Sequence, residues 1–204
     1  MRALRSLLAR LLARVFARRC ATALQRWSAA GLLACAAMGA AAADNDGRPL
    51  GAQVKAAYLY KFVGHIEWPP GTFTDASTPL VIGVVGASDV ADELNKLRSA
   101  RTANDRPVEV RVVKPGDPVR GVQLIFVGGA DTAQLKRVLE PYKGLPTLTI
   151  SDIPGGMDAG CIINFVTVDN RIRFEISVGN AERHGLKVSS RLLAVAQRVD
   201  TGRH

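Results

Sequence analysis

The sequence has few of the side chains that most often build metal and cofactor sites. Its 204 residues contain three cysteines and three histidines, the latter at positions 65, 184 and 204. The histidines are not spaced as a ligand pair, and no group of cysteines lies near them. Gly83 and Gly86 lie three positions apart in an apolar run, but no further glycine follows in the register of a dinucleotide-binding loop. We therefore expect no metal ion and no cofactor.

Catalytic motifs are equally scarce. Ser189 and Ser190 lack the flanking glycines of a nucleophile elbow, and their place before an apolar helical pattern predicts a capping role instead. The carboxylates that could act by position as a glycosidase pair are Glu67, Asp152, Asp158 and Glu175. Nothing in the sequence pairs any two of them. We expect a protein that is not an enzyme, with a secreted enzyme as the third-ranked alternative.

Acidic residues are absent from the first 43 positions, which carry seven arginines and then an apolar stretch ending in alanines. This pattern is typical of a secretory signal peptide, residues 1–43, cleaved near Ala42 or Ala43, and it predicts a periplasmic protein. The apolar stretch is shorter than the roughly 20 residues of a membrane span, although an anchor is one alternative. Another is a lipoprotein lipidated at Cys35, and the true start codon could lie later.

Removing the signal changes the charge balance of the chain. The full sequence has a formal net charge of +9, but the remaining 20 basic and 18 acidic residues leave only +2. No concentrated basic footprint is left, so we expect no nucleic-acid partner. Cys161 is then the sole cysteine and cannot form an internal disulfide. We expect it to be a small buried residue at the start of a strand.

The rest of the chain alternates between apolar strands and amphipathic helices. We predict a short tail at 44–50 and one α/β domain at 51–204, because about 160 residues suit a single core. Predicted helices cover residues 50–62, 88–97, 132–139 and 189–199, and predicted strands cover residues 80–86, 107–113, 122–127, 147–150, 161–168 and 171–178. Asp169 and Asn170 accept positive φ and should close a β-hairpin. The fold class is an α/β sandwich with a mixed, mainly six-stranded sheet flanked by helices.

Several blocks of the sequence resemble the YfiR family of periplasmic proteins. These blocks are residues 54–62 with Glu67-Trp68-Pro69, Ile162 with Asn164-Phe165, Arg173-Phe174-Glu175-Ile176, and residues 185–193. The resemblance implies a non-catalytic, homodimeric regulator that binds and restrains a membrane-bound sensor protein, typically a diguanylate cyclase, and so lowers cyclic-di-GMP output and biofilm formation. Relatives often carry cysteines near the strand at 122–127 and near the glycine turn. Their absence here, apart from Cys161, argues against redox regulation through an internal bridge.

Two groups of polar residues are candidates for binding. One group lies where the last predicted strand turns into the last predicted helix and consists of Glu175, Arg183, His184 and Lys187. It is either a polar site for a small anion or a partner loop, or a solvated surface with local ion pairs. Glu67 with Trp68 forms the other candidate, because an aromatic beside a charge in a proline loop suits an interface anchor. Trp68 could instead pack in the core, and the alternative function is a periplasmic small-ligand carrier or sensor.

Overall fold

A computed structural model describes residues 47–98, 106–114, 117 and 120–202. The proposed signal peptide, its cleavage site and Cys35 lie outside these ranges. Within them, no helix is both long and apolar enough to cross a membrane. The described residues belong to one compact unit.

The first helix, α1, spans Gly47–Val63 and agrees with the predicted helix at 50–62. Its buried residues recur at helical spacing and are Ala52, Ala56, Leu59, Phe62 and Val63. The helix begins at Gly47, so its first turn takes in part of the segment that we expected to be a tail. The buried stripe turns α1 against the sheet, which leaves Leu50 exposed at its N-terminal end.

A seven-stranded mixed sheet forms the centre of the domain. Its strands are β2 (Leu80–Val85), β3 (Val108–Val112), β4 (Leu124–Val127), β5 (Leu148–Ser151), β6 (Ile163–Val168), β7 (Arg171–Ser177) and β9 (Arg198–Asp200). Their order in the sheet is β3-β2-β4-β5-β6-β7-β9. The pairs from β3 through β6 are parallel, β6 with β7 is antiparallel, and β7 with β9 is parallel. The mixed α/β architecture is confirmed, with one strand more than predicted.

Helices cover both faces of this sheet. Helices α1 and α2 (Ser88–Arg98) pack on one face, over alternate residues such as Ile82, Phe126 and Phe165. Helix α3 (Thr132–Leu139) and a short 3-10 turn, Glu140–Tyr142, pack on the other face. The central strands are therefore buried on both sides, as their nearly continuous apolar sequences require. Asp131 caps α3 by accepting a hydrogen bond from the backbone N–H of Gln134 at 2.7 Å.

The hairpin between β6 and β7 closes as the sequence predicts. Asp169 and Asn170 adopt φ values of 48° and 56°, the left-handed conformation that a two-residue hairpin turn needs. Phe165 lies opposite Phe174 in the ladder. Both rings face α1, where they contact Tyr58 and Phe62.

The prediction of a C-terminal helix at 189–199 is wrong. Helix α5 covers only Ser190–Leu193, and the chain then extends into β9. The backbone N–H of Gln197 donates to Phe174 O at 2.8 Å. The segment after α5 therefore pairs with the edge of β7 as a strand instead of continuing as a helix. The apolar spacing at 192–196 is short enough to fit either a helix or a turn.

A second, two-stranded sheet joins the end of α1 to the C-terminal region. Strand β1 (Ile66–Glu67) pairs antiparallel with β8 (Lys187–Val188), with Ile66 opposite Val188. Ser189 extends the connection by donating its backbone N–H to His65 O at 2.9 Å. We call this pairing, residues 65–67 with 187–189, the clasp. Helix α4 (Val178–Arg183) lies between β7 and the clasp.

Close backbone approach marks the point where the strand order reverses. The chain passes from β2 to β3 on one side of the sheet and then to β4 on the other. At the carboxyl ends of β2 and β4, a Cβ added to Gly86 would lie 2.2 Å from Gly128 O. Gly86 also has a positive φ of 71°. Gly86 forms the turn from β2 into α2, where any side chain would be strained and would meet this carbonyl.

Candidate functional site

The clasp and the residue that follows its first strand, Trp68, bring together three of the residues predicted to bind a partner. Lys187 Nζ lies 3.2 Å from Glu67 Oε1, and the two side chains are 79% and 70% exposed. Trp68 follows Glu67 directly in the chain. Because the ion pair is exposed, it contributes little to folding stability. Its charges are instead available to a partner at the surface.

Trp68 is half-buried beside this ion pair. Its ring makes an edge-to-face contact with Phe73, with centroids 6.0 Å apart, and the guanidinium of Arg106 lies 4.2 Å from the centre of the Phe73 ring. The indole Nε1 is buried and has no hydrogen-bond partner among the described residues. Part of Trp68 therefore belongs to the core, as one alternative required, while the remainder stays at the surface beside Glu67.

A cavity of about 630 Å³ lies between α3, α4 and the glycine turn that precedes β6. We call it the basic pocket, because it is lined by Lys136, Lys143, Arg183 and His184, together with Glu140, Asp158 and Asn180. Arg183 and His184 are candidates from the sequence. Lys136 and Lys143 are not, because they lie about forty residues earlier and carry no local motif.

Asn180 fixes the wall of the basic pocket. Its buried Nδ2 donates to Met157 O at 3.0 Å and to Cys161 O at 2.6 Å. Since both amide hydrogens are used, Oδ1 is left to accept a hydrogen bond from Arg183 Nη2. The guanidinium is therefore held in place by a side chain that is itself anchored to the glycine turn.

His184 forms the inner wall of the same pocket. Its Nδ1 lies 2.8 Å from Leu145 O, and because a carbonyl oxygen only accepts, Nδ1 carries the proton. Burial lowers the pKa of His184, and the nearby Arg183 lowers it further, while the hydrogen bond to Leu145 opposes both effects. The imidazole is thus neutral at pH 7, and the cations that line the pocket are lysine and arginine.

The charges in the basic pocket are only partly compensated. Lys143 pairs with Glu140 at 2.5 Å on an exposed turn. Lys136 and Arg183 are the further cations, and Asp158 is the further carboxylate. This composition suits a small anion that also accepts hydrogen bonds from Arg183. Among the described residues, no three histidine, cysteine or acidic side chains are grouped as a metal site.

Glu175, the remaining candidate, lies on the sheet. It faces Arg198 across the β7–β9 ladder and accepts two hydrogen bonds from its guanidinium, at 3.0 and 3.1 Å. The four polar candidates therefore form three separate contacts. Lys187 joins Glu67 in the clasp, Arg183 and His184 line the basic pocket, and Glu175 holds β9.

The structure shows a doubly wound α/β domain that carries two polar surfaces, the clasp and the basic pocket. Residues 52–197 match the family described as YfiR/HmsC-like. The chain belongs to this family, and the resemblance seen in the sequence is confirmed. The match begins within α1 and ends immediately before β9, so it includes the clasp and the basic pocket. The family comprises periplasmic regulators of cyclic-di-GMP signalling.

Proposed function

We propose that this protein is a non-catalytic periplasmic regulator that binds a membrane-bound diguanylate cyclase and holds it inactive, thereby lowering cyclic-di-GMP output and biofilm formation. The observation that carries the proposal is the family match across residues 52–197. Under this proposal the chain is exported with cleavage near Ala43 and acts as a homodimer. Its contact with the membrane is through the partner.

The clasp is the surface that we assign to partner binding. Trp68 supplies a rigid aromatic group at the surface, and aromatic anchors of this kind carry about 2 kcal/mol or more in interfaces. The exposed charges of Glu67 and Lys187 set the electrostatic pattern beside it. Such rim charges govern specificity and association rate more than affinity.

Regulation of this kind requires unequal binding to two states of the partner. A regulator shifts an equilibrium only by the difference between its binding free energies for those states. A hundredfold preference for the inactive cyclase corresponds to about 2.7 kcal/mol, which one aromatic anchor and a few polar contacts can supply. No covalent chemistry is needed.

Charge exchange in the clasp tests the proposal. Affinity-tagged full-length protein is expressed in its own host, and the membrane proteins that co-purify are identified by mass spectrometry. We expect a cyclase to be recovered, with Glu67→Lys or Lys187→Glu weakening its recovery about tenfold or more. The matched control is Arg137→Glu on α3, which is exposed and distant in sequence. The exposed pair contributes under about 1 kcal/mol to stability, so folding is preserved in every variant.

The proposal fails if deleting the gene leaves cellular cyclic-di-GMP unchanged and no membrane protein co-purifies with the wild-type chain. The double exchange, Glu67→Lys with Lys187→Glu, distinguishes two roles of the pair. Recovery of binding in the double variant indicates that the pair acts by holding the clasp together. Continued loss indicates that the partner reads the individual charges.

A second candidate function is a small-ligand carrier or sensor, and the basic pocket is the observation that favours it. Its volume of about 630 Å³ lies within the usual range for small-molecule sites. Native mass spectrometry of the purified protein tests this function. A bound small anion that is lost in Arg183→Ala would support the carrier, whereas an empty protein that still recovers the cyclase would exclude it.

A further inference from the structure

A further cavity lies away from both the clasp and the basic pocket, between α1 and the β6–β7 hairpin. It encloses about 820 Å³, and we call it the hairpin groove. Its lining includes the apolar residues Leu50, Val54, Tyr58 and Ile172, and the charged residues Lys55, Asp89, Arg171 and Arg173. Neither the clasp nor the basic pocket contributes to it.

The apolar part of the groove is exposed to solvent at Leu50 and packs against core aromatic rings at Tyr58. Leu50 is 67% exposed, the largest exposed fraction among the large apolar residues described. Tyr58 is half-buried and rests against Phe62 and Phe174, with ring centroids 5.7 and 5.6 Å away. A preformed apolar floor of this kind binds a side chain without first having to reorganise.

The charged part of the groove is positive. Arg171 and Arg173 flank Ile172 along β7 and are exposed. Neither guanidinium forms an ion pair or a hydrogen bond with another described residue. Lys55 differs, because Asp152 neutralises it at 2.6 Å. Asp89, in the first turn of α2, is the single acidic residue in the lining. Since side chains alternate along a strand, these two uncompensated cations project from the face of β7 opposite Ile172 and the apolar floor.

We infer that the hairpin groove is a docking site for an acidic segment of the membrane partner, one that alternates carboxylates with aliphatic side chains. The inference rests on the proposed function, to which it adds a second contact surface and the chemistry of the segment. The segment lies extended along β7 at residues 171–173, where β9 does not pair. Its aliphatic side chains then lie on Tyr58 and Ile172 beside Leu50, and its alternate carboxylates point to the other face, toward Arg171 and Arg173. Charge complementarity selects this occupant over a neutral or basic segment.

Fluorescence anisotropy with a defined probe tests the chemistry of the groove. The probe is a short labelled peptide alternating leucine and glutamate, titrated with protein comprising residues 44–204. We expect binding that weakens about tenfold in Arg171→Glu/Arg173→Glu and also weakens in Leu50→Glu. It should weaken in about 1 M salt, where the Debye length falls to roughly 3 Å. A peptide with lysine in place of glutamate should not bind.

A matched double variant controls for net charge. Arg120→Glu/Arg137→Glu makes the same charge change at exposed positions outside the groove, and it should bind the peptide as the wild type does. Equal losses in the two double variants would show a general charge effect and overturn the inference. So would binding to phosphatidylglycerol vesicles with the same dependence on Arg171 and Arg173, without binding to the peptide, since the groove would then recognise lipid.

Co-purification of the membrane partner separates failure of the groove from failure of the proposed function. If the wild-type protein and Arg171→Glu/Arg173→Glu recover the cyclase equally, the groove inference is wrong and the regulatory function stands. If neither recovers a membrane protein while the peptide still binds, the regulatory function fails. The groove then keeps its acidic-segment chemistry but loses its assignment to the membrane partner.

Discussion

Replacing Gly86 by alanine should destabilise the fold for two reasons, the positive φ of this residue and its close approach to Gly128. Its φ of 71° costs an alanine about 1–2 kcal/mol. The new Cβ would also lie 2.2 Å from Gly128 O. The chain that carries this carbonyl is held close to β2, because the N–H of Gly128 donates to Val85 O at 2.9 Å. Forcing β2 and β4 apart adds about 2–3 kcal/mol, within the range measured for overpacked sites.

Gly144 provides the matched control. It has the same φ of 71°, but a Cβ there would meet nothing within 4 Å. After the gain of about 0.4–1 kcal/mol from a stiffer unfolded chain, Gly144→Ala should lose only about 0.5–1 kcal/mol. Gly86→Ala should lose about 3 kcal/mol, which lowers the Tm of a domain of this size by roughly 10 °C.

Urea denaturation followed by circular dichroism measures both losses. The two variants should shift the midpoint without changing the slope, since neither alters the surface exposed on unfolding. If Gly86→Ala loses no more than Gly144→Ala, the contact with Gly128 does not limit this position. The close approach of β2 and β4 would then be refuted as a determinant of stability.

Two further predictions concern buried titratable groups. Burial lowers the pKa of His184 below its usual 6.5, so at low pH the unfolded chain binds a proton that the folded chain excludes. The contribution of His184 to the free energy of unfolding should therefore be complete above about pH 6.5 and should fall as the pH drops below it. Denaturation at several pH values should show a shallower fall in His184→Gln. An identical slope in both proteins would contradict this assignment. Burial raises the pKa of the Cys161 thiol to about 12, so an Ellman assay of residues 44–204 should detect the thiol only after unfolding, and rapid reaction of the native protein would show that the site is open.

Much of the fold was predictable because local signals and burial agree. The apolar runs of β2 and β4 are bounded by glycines, and the structure places both strands at the centre of the sheet. Asp169 and Asn170 are among the few residue types that tolerate positive φ, which located the hairpin to within a residue. Cys161, expected at the start of a strand, is fully buried just before β6.

The C-terminal strand and the candidate surfaces depend on contacts between distant parts of the chain. Arg198 lies in β9 because this segment pairs with the edge of β7 and the Arg198 side chain donates to Glu175. The sequence of residues 189–199 alone gives no sign of this pairing. The same reason explains why Lys136 and Lys143 were missed beside Arg183. Sequence proximity suggested one cluster of four polar residues, whereas the topology distributes them among the clasp, the basic pocket and the sheet edge.

The clasp can also form only late in the synthesis of the chain. Its two halves are separated by 120 positions, and a polypeptide is made from its N-terminal end. Strand β1 therefore waits for its partner until nearly the whole domain has been synthesised, and β9 arrives later still. Partners so far apart in sequence close slowly, because the intervening loop must first be ordered. Loss of the last twenty residues would leave β1 unpaired and the edge of β7 open. The clasp, which we propose as the partner-binding surface, can therefore be complete only in a chain that retains these residues.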